Sequence, residues 1–137
     1  MSTLKVNTVQ HITSGFNNVV QFTDGSGTQN ATLCRAWVRF NGSGTVSING
    51  SFNVSSITDS GTGYYKVNWA NNFPNVNYCS LVCGTGGQTS SGYVQHDSDQ
   101  FGGQGVNTPA VGSITLRATN ASGSNVDHEW VTAAAFN

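Results

Sequence analysis

The chain has 137 residues, enough for one domain of ordinary size or a smaller domain with an extension. Only 8% of the residues are charged, 5 basic against 6 acidic for a formal net charge of -1, where soluble domains carry about 25%. The basic residues Lys5, Arg35, Arg39, Lys66 and Arg117 are scattered and no apolar run exceeds four residues, which argues against nucleic acid as a partner and against membrane insertion.

Ser, Thr, Asn and Gly make up 64 of the 137 residues, so nearly half the chain is small, polar and uncharged. With 7 Phe, 4 Tyr, 3 Trp and only 2 Pro the composition is that of a folded chain, not a disordered one. Good helix formers are scarce, while Thr, Val, Asn and Gly dominate. The expected fold class is all-β. The first residues lack an apolar h-region and a small-residue cleavage site, so synthesis without a secretory leader is expected.

In residues 1–33, Leu4, Val6, Val9, Ile12, Val19, Val20 and Phe22 are dispersed among polar residues, with Gly15, Gly25 and Gly27 as breakers. This stretch is too apolar for a linker and too thin for a core of its own. It is expected to be an extended attachment and oligomerisation arm, with residues 34–137 as the β-domain.

The domain opens with Arg35-Ala36-Trp37-Val38-Arg39-Phe40, the loop Asn41-Gly42-Ser43-Gly44 and the alternating Thr45-Val46-Ser47-Ile48, a hairpin pattern. Asn49-Gly50 suits a type I′ turn and predicts a second hairpin into Ser51-Phe52-Asn53-Val54-Ser55-Ser56-Ile57. A third turn at Asp59-Ser60-Gly61-Thr62-Gly63 leads to Tyr64-Tyr65-Lys66-Val67-Asn68-Trp69. There Tyr65, Val67 and Trp69 fall on one face and Tyr64, Lys66 and Asn68 on the other. Four strands in an antiparallel meander are expected, broken at Asn71-Asn72-Phe73-Pro74-Asn75 because proline cannot donate to a ladder.

Residues 78–83 read as a strand buried on both sides and residues 84–92 as a loop. Tyr93-Val94-Gln95-His96 reads as a short strand, and residues 97–112 form a long polar stretch of the kind that often carries function. Two strands close the chain, Ser113-Ile114-Thr115-Leu116-Arg117-Ala118-Thr119 and residues 126–136, separated by a Ser122-Gly123-Ser124 turn. About eight strands spaced by turns predict an antiparallel β-sandwich or jelly-roll-like domain. Its core is expected to draw on Trp37, Phe40, Phe52, Tyr65, Val67, Trp69 and Tyr78.

Cys34, Cys79 and Cys83 include no C-x-x-C pair. On a strand, Cys79 and Cys83 share a face about 13 Å apart, too far to bridge. Free, mostly buried thiols are expected. His11, His96 and His128 are widely separated and offer no zinc spacing. Asp97-Ser98-Asp99-Gln100-Phe101-Gly102 begins like a calcium loop, but Phe101 and Thr108 replace the oxygen donors at its fifth and twelfth positions. Neither metal nor cofactor is expected.

No nucleophile elbow or phosphate-binding loop is present. The pairs Asp97/Asp99 and Asp127/Glu129 could serve a glycosidase, where separations of about 5 to 9.5 Å matter, but they read more simply as solvated loop or strand faces. One cluster has the character of a glycan site: Tyr93, Gln95, His96, Asp97, Asp99, Gln100 and Phe101 set amide, carboxylate and hydroxyl groups beside aromatic faces. The bland reading of that cluster is a loop packed on a neighbouring subunit.

Residues 35–46 and 51–68, together with the opening Ser2-Thr3-Leu4-Lys5-Val6-Asn7-Thr8, resemble a module of tail fibres of tailed bacteriophages, cyanophages among them. The resemblance runs over roughly residues 1–83 and combines Trp, Phe and turn residues at fixed spacing; Cys34, Cys79 and Cys83 stand outside the pattern. It implies a non-enzymatic virion structural protein, a homotrimeric fibre or appendage subunit assembled in the bacterial host cytoplasm. The arm would bind other tail proteins, and the β-domain would face a host glycan or lipopolysaccharide. The alternatives are a neck, collar, baseplate or head-decoration fibre with no receptor role, and a lectin-type module. The low charge suits intersubunit burial, since hydroxyls and amides can be hydrogen-bonded between copies without the cost of desolvating ions.

Overall fold

The computed structural model describes residues 19–24, 27–85, 92–96 and 110–137, with side chains from Leu33 onward. Within the predicted arm, strands β1 (Val19–Asp24) and β2 (Gly27–Thr32) pair as an antiparallel hairpin that forms a sheet of its own. The strands that follow are β3 (Cys34–Asn41), β4 (Ser47–Phe52), β5 (Val54–Gly61), β6 (Tyr64–Trp69), β7 (Cys79–Thr85), β8 (Gly92–His96), β9 (Ser113–Asn120) and β10 (Trp130–Phe136). They form two antiparallel four-stranded sheets, ordered β4-β3-β10-β7 and β5-β6-β9-β8. The fold is the expected all-β sandwich.

Alternation builds the interior. Ala36, Val38 and Phe40 of β3 and Val131, Ala133 and Ala135 of β10 point inward from the first sheet. Tyr65, Val67 and Trp69 of β6, Ile114, Leu116 and Ala118 of β9 and Val94 of β8 meet them from the second. The Phe40 and Tyr65 rings join the layers edge to face, their centroids 5.2 Å apart. One end is plugged by Trp69, Phe73 and Tyr78, where the Tyr78 hydroxyl donates to the carbonyls of Ala110 and Ser113.

The expected meander is corrected. Asn49 and Gly50 lie inside β4 with ordinary backbone angles, and the reversal comes at Asn53, whose φ is 55°. There the chain changes sheets, so β3–β4 and β5–β6 are hairpins in opposite layers. Gly50 serves packing, since the Trp37 indole lies over it. Asn53 holds the joint with its side chain, accepting from the Asn71 amide at 2.7 Å and donating to the Asn71 carbonyl.

Three further expectations are overturned. Trp37 (43% exposed) and Phe52 (56%) are not core, because the alternation that buries Ala36, Val38 and Phe40 turns Trp37 outward and sets Phe52 beside it. β7 is an edge strand, not one buried on both faces, with Cys79, Leu81 and Cys83 exposed. The cysteines are free as expected but not mostly buried: two are exposed and Cys34 is half-buried.

Candidate functional site

β8 is the edge strand of the second sheet, and its alternation divides the predicted cluster. Tyr93 and Gln95 are exposed on the outer face, while Val94 and His96 turn toward the opposite sheet. His96 Nε2 lies 3.1 Å from Ser80 Oγ and 3.3 Å from the Ser80 carbonyl, which ties the edge of one sheet to the edge of the other. Asp97, Asp99, Gln100 and Phe101 lie outside the described residues.

On the outer face the ladders set Gln95 beside Arg117, and Arg117 beside Tyr64, with Tyr93 opposite Thr119 and Thr115 opposite Lys66. The Arg117 side chain is held from two sides: Nε donates to Asn125 Oδ1 at 2.8 Å, and the guanidinium lies 5.9 Å from the Tyr64 ring centroid. Further along the face, Asn68 donates to Ser56 Oγ and Thr58 Oγ1. The surface offers two phenol rings, an amide, hydroxyls and a fixed cation. Such a set can stack on apolar C–H faces and hydrogen-bond hydroxyl edges.

Beneath this face a polar network runs from the buried Tyr65 hydroxyl to the exposed Asp127. The Tyr65 hydroxyl lies 3.0 Å from the Gly42 carbonyl and 2.9 Å from Asp127 Oδ1, which also accepts from the Gly63 amide at 2.7 Å. Burial first, then the hydrogen bond and charge of Asp127, push the Tyr65 phenol well above its usual 10.0. His128 is fully buried with Nε2 3.2 Å from the Thr119 carbonyl, and its Nδ1 has no partner. Asp127 is therefore committed to closing the end of the sandwich, and its predicted pairing with Glu129 has a structural alternative. Among the described residues no group of three or more His, Cys, Asp and Glu side chains could hold a metal ion.

The outer face of the first sheet is a feature that sequence reasoning missed. Phe52, Trp37, Ala134 and Leu81 stand in register across β4, β3, β10 and β7. Arg39 lies over the exposed Trp130 ring, 4.4 Å from its centroid. The signal was present: in Arg35-Ala36-Trp37-Val38-Arg39-Phe40 the tryptophan shares its parity with two arginines, the outward set. No protein-family model, no curated protein and no solved structure matches the chain.

Proposed function

We propose that the chain is a non-enzymatic virion structural protein, a tail-fibre subunit of a tailed bacteriophage that helps the particle contact its bacterial host. The observation that carries this reading is the polar outer face of the second sheet, with Tyr93, Gln95, Arg117 and Tyr64 adjacent across three strands. Its chemistry suits a surface glycan or lipopolysaccharide better than an anionic polymer, since one face offers rings and uncharged groups around only two cations, Arg117 and Lys66. The resemblance of residues 35–46 and 51–68 to phage fibre modules supports the same reading. The subunits form a homotrimer, residues 1–33 engage other tail proteins, and the protein resides in the virion.

A connector fibre without a receptor role is the second reading, favoured by the aromatic outer face of the first sheet, which suits a protein partner. Adsorption separates the two. Purified protein added to host cells blocks phage attachment in the first reading, and the paired substitution Tyr93→Ala with Gln95→Ala abolishes the block without loss of fold. Absence of any block, with antibody labelling placing the protein away from the host-facing end of the tail, establishes the connector.

A further inference from the structure

The four edge strands of the sandwich differ in how they are guarded against pairing with another chain. β5 carries Asp59 and two register shifts, β4 has a register shift against β3, and β8 is only five residues long. β7 has none of these devices, although the His96 side chain of β8 lies 3.3 Å from its Ser80 carbonyl. Its seven residues, Cys79-Ser80-Leu81-Val82-Cys83-Gly84-Thr85, contain no charge and no proline, and its register with β10 is unbroken. Its inward positions, Ser80, Val82 and Gly84, are half-buried, while Cys79, Leu81 and Cys83 are exposed, Leu81 to 62%.

The outward residues are symmetric about Leu81. In an antiparallel pairing of two copies of β7 that sets Leu81 against Leu81, Cys79 of each copy faces Cys83 of the other. Residues directly opposite on antiparallel strands have Cα atoms about 4.5 to 5.5 Å apart, inside the disulfide range of roughly 4.4 to 6.8 Å. Within one chain no such pair exists. Cys79 and Cys83 are about 13 Å apart along β7, and Cys34 and Cys79 flank Phe136 on opposite sides of β10, about two strand spacings or 9.5 Å apart.

We propose that β7 is a self-association edge: it pairs antiparallel with β7 of a second copy, centred on Leu81, joining two four-stranded sheets into one of eight strands. The pairing also makes the apolar row continuous, running Phe52, Trp37, Ala134 and Leu81 in one copy and the reverse in the next. The contact is two-fold and isologous, so alone it makes a dimer, and combined with a threefold contact it ties two trimers together. It is independent of the proposed role in the virion.

Cross-linking in the full chain tests it, with Cys34→Ser as background and diamide as the oxidant that takes up two electrons and two protons per disulfide. The background protein gives a disulfide-linked dimer on a non-reducing gel. Adding Cys79→Ser leaves Cys83 facing a serine, and adding Cys83→Ser does the reverse, so each variant alone loses at least about tenfold of the dimer band. Co-expressed with one carrying a size tag, the two variants regain it as a mixed dimer through one Cys79–Cys83 bond. Leu81→Lys in the background suppresses the dimer band with an unchanged circular dichroism spectrum. A background protein that does not cross-link overturns the proposal. So does a single-cysteine variant that cross-links with itself as fully as the background, or a co-expressed pair that yields no mixed dimer.

Discussion

Tyr65 combines two jobs in one side chain. Its ring fills the centre of the sandwich against Phe40, and its hydroxyl closes one end by meeting Gly42 and Asp127. Tyr65→Phe keeps the ring and strands a buried carbonyl, so a loss of about 1 to 2 kcal/mol in denaturant titration is expected. The phenol also sets an alkaline limit. Its pKa is raised in the folded chain, so above pH 10.0 the unfolded state releases a proton that the native state keeps. The Tyr65 contribution is complete below pH 10.0 and is lost as pH rises beyond it; Tyr78, raised by burial, acts in the same direction. Stability measured between about pH 9 and pH 11 should therefore fall, and fall less steeply in Tyr65→Phe. Gly92 is a second single-residue constraint, because a Cβ there would strike the Thr119 carbonyl and come 2.7 Å from His128 Cε1. Gly92→Ala is expected to cost about 1 to 3 kcal/mol in the same titration, by overpacking and not through backbone conformation.

At the scale of elements, the joint between β4 and β5 decides which strands share a sheet. Asn53 takes the left-handed conformation that asparagine tolerates, and its side chain binds Asn71 on the strand-end opposite. Asn53→Ala loses both the conformation and the bonds, whereas Asn53→Gly loses only the bonds. Thermal melts should rank wild type above Asn53→Gly above Asn53→Ala, with about 1 to 2 kcal/mol across the series. Most strands of the sandwich were legible in the sequence, although the last begins at Trp130 and not at Val126, and the β1–β2 hairpin was not anticipated. Tyr64 to Trp69 alternates strictly and lies as expected, and the glycines after Asp59 mark the turn at Gly61 and Gly63, both with positive φ. The sheet change at Asn53 was not legible, because Asn49-Gly50 is the stronger local turn signal, yet it lies within β4 with the Trp37 indole against Gly50. β7 was misread for a related reason: Cys79, Leu81 and Cys83 look like core residues, and hydrophobicity alone does not distinguish an edge from a centre. For the candidate site, alternation in Tyr93-Val94-Gln95-His96 already separates His96 from Tyr93 and Gln95. Arg117 and Tyr64 could join them only through long-range strand pairing.

The whole molecule uses its few charges in an unusual way. Of the four cationic side chains described, Arg35, Arg39 and Arg117 lie near the rings of Phe73, Trp130 and Tyr64. Among the described residues, cation–ring contacts engage three of these four cations. Screening should then matter little: raising NaCl from about 0.05 to 0.3 M is expected to change unfolding free energy by less than roughly 0.5 kcal/mol. The topology carries a different consequence. β10 sits between β3 and β7, and β7 joins the first sheet through it. Before residues 130–136 leave the ribosome, β3 and β4 can form only a hairpin and β7 has no neighbour in its sheet. Folding of the first layer is therefore completed after nearly all of this sequence has been made. A nascent chain stalled before Trp130 lacks the strand that joins β3 to β7, so the β3 edge beside Ala36, Val38 and Phe40 stays open to chaperones and proteases.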